Sequence, residues 1–160
     1  FYDDNDERAI FFCKGVMETV KKLGWAPDIV HCNDWMTSLI PLYLKTRYKQ
    51  DPVFKDAKSV FTVHNNPIKF KFGKDLLSKV KMLDIEDKML TNLNTGDYEG
   101  FIKIGMEYAD AVIRTESDYT DSISKLFAET GKNKKVELLA ATDETLDEEK
   151  YYNFYNELVG

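Results

Sequence analysis

DIVHCNDW, at residues 28–35, joins a short β-branched apolar run to a polar cluster that ends in an indole. SVFTVHNN, at residues 59–66, repeats this pattern, and each stretch carries one of the two histidines of the chain, His31 and His64. Short apolar runs of this kind are typical of buried strands in a parallel sheet. Ligands of open α/β sheets bind beyond the carboxyl ends of the strands. The sequence therefore predicts that both histidines face one site at that end of a sheet.

Outward from these stretches, helical and strand patterns alternate. Two further strands are expected at 111–115 and 136–140, and helices at 37–48, 100–110 and 118–130, with Asp118 capping the last of them. The clearest helix is expected over 6–23 and ends before Gly24. Its predicted buried stripe consists of apolar residues at three- and four-residue steps, namely Ala9, Phe12, Cys13, Val16, Val20 and Leu23. This alternation predicts an α/β fold, a parallel Rossmann-like sheet flanked by helices.

Length and composition favour a single domain over residues 1–160, closed by a C-terminal helix within 144–160. The chain is 43% hydrophobic, which is enough for one core, and its net charge of −6 argues against nucleic acid as a partner. No apolar run approaches the roughly 20 residues that a membrane span requires. Two cysteines without metal-ligand spacing predict no metal site and a reduced, cytoplasmic chain. Because it begins at Phe1, we expect the chain to be a piece of a longer protein.

The polar cluster after the first strand has two interpretations. In one, Asp34 caps the next helix and Trp35 belongs to the core, since aspartate is a favoured N-cap. In the other, the cluster is a sugar or phosphate pocket, where the carboxylate accepts hydroxyl hydrogen bonds and the indole stacks on a sugar ring. The run from His64 to Asn66 has a similar alternative as a turn before Pro67. Residue types alone leave both pairs of alternatives open.

Four blocks together resemble bacterial glycogen and starch synthases of glycosyltransferase family 5. They are DNDER at 4–8, PDIVHCNDW at 27–35, FTVHN at 61–65, and GFIK with YADAV at 100–103 and 108–112. The resemblance covers about residues 1–130 and corresponds to the second half of the N-terminal domain of a GT-B fold. It implies glucosyl transfer from a nucleotide sugar, such as ADP-glucose, to an α-1,4-glucan with retention, and no resident cofactor.

The resemblance also assigns roles to residues. It implies that His64 contacts the transferred sugar and that its backbone helps to stabilise developing positive charge, a large catalytic effect in general. Asp34 is the second catalytic candidate and positions the sugar together with Trp35. Asn65 and His31 are expected beside them as substrate-binding residues. His31 is also expected to have a structural part, because its loop lacks two family imidazoles.

Departures from the family pattern bear on activity. The missing imidazoles are replaced by Asn33 and Met36, and the hinge before a second domain reads LAATD at 139–143. Neither the Gly-rich donor loop nor the basic donor clamp of the family is visible. We therefore expect this chain alone to be inactive. A degenerate, non-catalytic module that binds glucan or a protein is the alternative, and an unrelated Rossmann-like domain with ordinary caps is the third.

Missing early strands would leave one edge of the sheet without a neighbour. Exposed strand edges invite pairing with another chain. The sequence therefore also predicts a homodimer, or a swapped assembly, through that edge.

Overall fold

The computed structural model describes residues 2–65, 68–81, 85–139 and 148–160. Helices and strands alternate along these residues, as the hydrophobic pattern predicts. In chain order they are α1 Asn5–Leu23, β1 Ile29–Asn33, α2 Leu39–Lys45, β2 Lys58–Val63, α3 Leu76–Val80, α4 Tyr98–Tyr108, β3 Ala111–Arg114, α5 Asp121–Thr130, β4 Lys135–Leu138 and α6 Glu148–Val159. Two 3-10 segments, Trp35–Thr37 and Asp87–Thr95, lie between them. None of the described helices is long and apolar enough to cross a membrane.

The strands form one four-stranded sheet in the order β1-β2-β3-β4, and every pair is parallel. The register sets Val30 beside Ser59, and Val60 beside Ala111. All carboxyl ends therefore lie at the same end of the sheet. The predicted α/β class, with helices flanking a parallel sheet, is confirmed.

The two faces of the sheet are covered unequally. Side chains alternate between faces along a strand, so Phe61 and Val63 join the large core with α1, α2 and α4. The opposite face carries Val60, Ala111 and Ile113, which pack with Leu139 and with Phe154 of α6. Within the described residues, α6 is thus the helix that covers the second face. The predicted closing helix of 144–160 begins at Glu148, and residues 140–147, including most of the LAATD hinge, lie outside the described residues.

The predicted buried stripe of α1 is wrong in part. Phe12 and Leu23 are 48% and 72% exposed. Steps of three and four residues admit two overlapping stripes on one helix, and both contain Ala9 and Cys13. Packing against α2, α3 and the 3-10 turn after β1 selects the stripe given by Asp6, Ala9, Ile10, Cys13 and Met17. Gly24 ends the helix as predicted, in the left-handed conformation at φ 65°.

Two predicted helices also need correction. Asp118 is exposed and does not cap α5, which starts after Thr120. The helix expected over 37–48 spans Leu39–Lys45. It starts late because the hydroxyl of Thr37 donates to the backbone carbonyls of Asn33 and Asp34 (2.8 and 3.1 Å) within a 3-10 turn. Short polar side chains compete for nearby backbone groups in this way.

Asp110 joins the end of α4 to the start of the sheet. Its carboxylate accepts hydrogen bonds from Lys45 Nζ (2.5 Å), and from the backbone N (2.8 Å) and Oγ (2.9 Å) of Ser59. Burial alone would raise the pKa of Asp110, but the hydrogen bonds and the charge of Lys45 outweigh it and lower the pKa. The ionised carboxylate therefore stabilises the fold.

Asp110→Asn should lower the free energy of unfolding by about 1.5 kcal/mol at pH 7, because charge-assisted bonds become neutral ones. A lowered pKa in the folded state contributes stability above the unfolded pKa, and this contribution is lost as pH falls through the folded pKa. Urea unfolding of both proteins at pH 7 and near pH 3 checks this expectation. If the variant is less stable than the wild type by the same amount at both pH values, this expectation is contradicted.

Candidate functional site

A cleft of about 540 Å³ opens at the carboxyl ends of β1 and β2. β1 supplies His31 and Asn33 to its lining, and the loop after β2 supplies His64. The two histidines of the chain therefore line one cleft, where the strand pattern places them. Within the described residues, no three His, Cys, Asp or Glu side chains are grouped as a metal site would require.

His64 follows β2 and is exposed. Its Nε2 lies 3.4 Å from Asn33 Oδ1, and its Nδ1 lies 3.5 Å from the hydroxyl of Thr115, which follows β3. Both distances are at the long limit of hydrogen bonding. The imidazole is thus held weakly between three strand ends, and its nitrogens can turn to a ligand at little energetic cost.

Asp34 has a strained backbone. Its φ is 57°, and no other non-glycine residue in the described ranges has a positive φ. Its side chain accepts a hydrogen bond from the backbone N of Trp35 (2.9 Å) and one from the hydroxyl of Tyr98 (3.0 Å). Burial raises the pKa of this carboxyl despite both bonds. Strain and a destabilised charge in one residue are typical of functional positions.

Tyr98 connects the two strand-end loops, and no motif in the sequence points to it. Its hydroxyl also lies 3.2 Å from the backbone carbonyl of His64, so it bridges Asp34 and His64. Tyr98 is the first residue of α4, where the carboxylate of Asp97 caps the helix by accepting from Gly100 N (2.9 Å). An aspartate before an apolar helix is a recognisable N-cap signal in the sequence. This signal does not show where the ring of the following tyrosine points.

Trp35 lies in the core. Its side chain is 5% exposed and packs on Phe70, Phe72 and Phe101, with ring centroids 4.8, 6.0 and 5.8 Å away. Of the two interpretations of this cluster, the structure matches the one in which Asp34 caps the following turn and Trp35 is core. Stacking of the indole on a sugar stays a prediction, and it would require the segment at 68–72 to move.

His31 lies inside β1, two residues before its end, and not at the end as predicted. Its Nδ1 is 2.6 Å from the hydroxyl of Tyr155, and its Nε2 is 2.6 Å from the hydroxyl of Thr62. Burial, with a smaller effect of the nearby His64, lowers the pKa of His31 to about 4. The ring is therefore neutral at pH 7 and fully engaged. Asn65, the remaining predicted contact, is exposed next to His64.

Asp34→Asn should leave the fold as stable as before, or stabilise it by up to ~1 kcal/mol at pH 7. The amide oxygen can accept the same hydrogen bonds, asparagine has the size and shape of aspartate so that the backbone strain at φ 57° is unchanged, and the cost of a buried charge disappears. Because the pKa of Asp34 is raised in the folded state, the wild type gains stability as pH falls below that pKa. The difference in stability between the wild type and the asparagine variant should therefore shrink. Thermal melts at pH 7 and pH 4 measure it.

Asp34→Ala is the control for that variant. Alanine removes the cap, so a loss of about 1–2 kcal/mol is expected. Equal losses for the asparagine and alanine variants would show that the carboxylate charge stabilises the fold, contrary to this prediction.

Comparison with known proteins places these residues in a family. The family model of the starch synthase catalytic domain matches residues 1–137. The chain belongs to this family. Curated glycogen synthases include those of Desulforudis audaxviator (strain MP104C), 38% identical over 125 residues, and Chlorobium limicola (strain DSM 245 / NBRC 103803 / 6330), 40% identical over 123 residues. These matches cover 76% and 74% of the chain but 24% of each relative, so this member of the starch synthase family spans about a quarter of their length.

A solved structure supports the fold. The catalytic domain of starch synthase IV from Arabidopsis thaliana, bound to ADP and acarbose, superposes with a TM-score of 0.61 at 18% identity. The superposition covers 86% of this chain and 30% of that one. His64, Asp34 and Tyr98 all lie within the residues that the family model matches, whereas α6 begins eleven residues after the match ends at 137.

Proposed function

We propose that this chain forms one wall of a glucosyl-transfer site, the wall that meets the transferred sugar and the acceptor of a glycogen or starch synthase. The donor is a nucleotide sugar such as ADP-glucose, and the acceptor is an α-1,4-glucan. Membership of the starch synthase family supports this function. The observation that carries it is the bridge by which the hydroxyl of Tyr98 reaches both Asp34 and the carbonyl of His64.

This bridge suggests how the residues act together. Retaining transfer develops positive charge on the sugar, and a carbonyl dipole or carboxylate that is already oriented stabilises such charge without reorganisation. The single hydroxyl proton of Tyr98 is shared between the carbonyl of His64 and Asp34, and it holds the two groups in place. The exposed imidazole of His64 is left to meet sugar hydroxyls. Asp34 keeps a charge that burial disfavours. We assign His64 and Asp34 to the sugar, Asn65 to substrate binding beside them, and Tyr98 to positioning.

The described cleft lacks a donor clamp. Lysine and arginine are absent from the described residues that line it, and a nucleoside diphosphate requires cationic or helix-terminal partners. The purified chain should therefore transfer no glucose from ADP-glucose or UDP-glucose to glycogen. Incorporation of radiolabelled glucose above a no-protein control would contradict this expectation.

A chimaera tests the function itself. Residues 1–137 would replace the matching segment of the Desulforudis audaxviator glycogen synthase, which supplies the remainder of the enzyme. We expect glucosyl transfer, with His64→Ala lowering kcat about 10²–10³-fold. The substitution removes the imidazole that meets the sugar and keeps the backbone carbonyl, and loss of one polar contact to the transition state has an effect of this size elsewhere. Phe11→Ala, at a residue 79% exposed on α1, is the control and should leave kcat unchanged. Transfer that survives His64→Ala would refute the assignment.

A non-catalytic module that binds glucan or a protein is the second candidate. Three observations favour it: the buried indole of Trp35, the engagement of both nitrogens of His31, and the loss of imidazoles at Asn33 and Met36. A chimaera that folds, as shown by a cooperative thermal melt, but transfers no glucose would support this candidate.

We also propose a homodimer through β1. This strand lies at the edge of the described sheet, with β2 as its one neighbour. Unpaired backbone groups of an edge strand favour pairing with another chain. The chain has a mass of 18.6 kDa. Light scattering at micromolar concentration should give twice this mass. A monomeric mass that stays constant up to 100 µM would contradict the dimer.

A further inference from the structure

Helix α6 lies outside the part of the chain that the family model matches, yet it packs closely against the second face of the sheet. Phe154 is 2% exposed and packs against Val60, Ala111 and Ile113 on the second face of the sheet. The hydroxyl of Tyr155 contacts His31 Nδ1 at 2.6 Å. These contacts fix both the rotation and the position of the helix.

In this position, one face of α6 lines the cleft. Glu148, Tyr151, Tyr152 and Tyr155 line it, at the spacing i, i+3, i+4 and i+7 that places residues on one helical face. The rings of Tyr151 and Tyr155 lie 6.0 Å apart, and each also faces His31, at 6.3 and 5.8 Å. Helix α6 therefore contributes four of the residues that line the cleft, and β1 and the loop after β2 contribute the others.

The chemistry of the lining selects a class of ligand. His31 is neutral at pH 7, Glu148 contributes an acidic side chain, and no cationic side chain is among the described lining residues, so the cleft offers little to a phosphate. Tyrosine faces combined with amide, imidazole and carboxylate groups suit a neutral polyhydroxyl ligand, whose C–H faces stack on the rings while its hydroxyls donate to oxygens. The volume of about 540 Å³ lies within the range of ~300–1,000 Å³ that is typical of ligand clefts.

Among the tyrosines of this face, Tyr152 is the one whose side chain is mostly exposed. It is 67% exposed, unlike Tyr151 and Tyr155, which pack partly against the second face of the sheet. A large aromatic side chain exposed at the mouth of a cleft is a ready stacking platform.

We propose that α6 provides a binding subsite for a short α-1,4-linked glucan. The sugar stacks on Tyr152, and its hydroxyls bond to Glu148, Asn33 and His64. The choice of an α-1,4-glucan among polyhydroxyl ligands rests on the proposed function, whereas the location of the subsite rests on α6 alone.

Calorimetric titration of the full chain with maltoheptaose tests the subsite. We expect saturable binding that Tyr152→Ala weakens about tenfold, while Tyr152→Phe stays within about twofold because the ring remains. Tyr2→Ala is the matched control, since Tyr2 is also 67% exposed and does not line the cleft. Cellohexaose, the β-1,4-linked counterpart, should bind at least tenfold more weakly than maltoheptaose.

Three results would overturn the subsite: no binding of maltoheptaose, equal weakening by Tyr152→Ala and Tyr2→Ala, or equal binding of cellohexaose. Failure of the subsite is distinguishable from failure of the proposed transfer, because the chimaera carries residues 1–137 and lacks α6. A chimaera with His64-dependent transfer, alongside a chain that does not bind maltoheptaose, refutes the subsite alone. Binding that depends on Tyr152, alongside an inactive folded chimaera, refutes the transfer alone.

Discussion

Gly105→Ala should lower the free energy of unfolding by about 2 kcal/mol, although alanine is the better helix former. Gly105 lies where α4 crosses β2, and a Cβ there would lie 2.5, 2.7 and 2.8 Å from three ring atoms of Phe61. The ring of Phe61 is fully buried and cannot move aside. Overpacking of a core costs about 1–3 kcal/mol, and three simultaneous clashes favour the upper end. The gain in helix propensity, up to about 1 kcal/mol, offsets only part of this.

Gly15→Ala is the matched control. Gly15 lies inside α1, and a Cβ there would meet nothing within 4 Å, so the same substitution should stabilise by roughly 0.5–1 kcal/mol. The two variants should thus differ by about 3 kcal/mol in urea unfolding. Phe61→Leu should reduce the cost of Gly105→Ala when the two are combined, because neighbouring residues couple. Equal stabilities of the two alanine variants would contradict the close packing of α4 on β2.

The strands and their shared end could be predicted from local pattern. β-branched runs such as the one before His64 are strongly biased to strands, and parallel strands bring their carboxyl ends together whatever the helices between them do. This is why His31 and His64 line one cleft. The sequence leaves the burial of Trp35 open, because an indole after a strand suits a core or a sugar site equally.

Other parts of the site depend on tertiary contacts that no local pattern contains. Tyr98 is 64 residues from Asp34 and 34 from His64, so its bridge follows from how α4 docks on the sheet. The sequence pattern predicts the helix α6, but its position on the second face of the sheet follows from the burial of Phe154 there. For α1, both overlapping stripes satisfy helical periodicity, and its neighbours decide between them.

The two histidines now have different roles in the structure. His64 is exposed and weakly held, as a group that meets a ligand must be. His31 is locked between Tyr155 of α6 and Thr62 of β2 at 2.6 Å on both sides. The contact between His31 and α6 links the family part of the chain to its C-terminal helix, so the protonation of His31 should affect the stability of both.

Acidification should therefore destabilise the fold through His31. Its pKa is about 4 in the folded chain, against 6.5 as the ordinary value, so the unfolded chain binds the extra proton between these pH values. Stability from this group is complete above pH 6.5 and declines as pH falls towards 4, with a loss of about 2–3 kcal/mol by pH 4.5. Both hydroxyl partners can accept from an imidazolium, so the cost is desolvation of the charge.

Urea unfolding at pH 7.5, 6.5, 5.5 and 4.5 measures this loss against two variants. His31→Gln cannot gain the proton, so its stability should fall by about 2–3 kcal/mol less than that of the wild type over the same range. His64→Gln should reduce the wild-type slope only slightly, because burial lowers the pKa of His31 more than the nearby His64 does. This variant separates the buried histidine from the general response of the carboxylates to acid. Parallel stability curves for wild type and His31→Gln would show that His31 is already accessible to protons when folded. The burial of the His31 ring, and with it the packing of α6 over that ring, would then be contradicted.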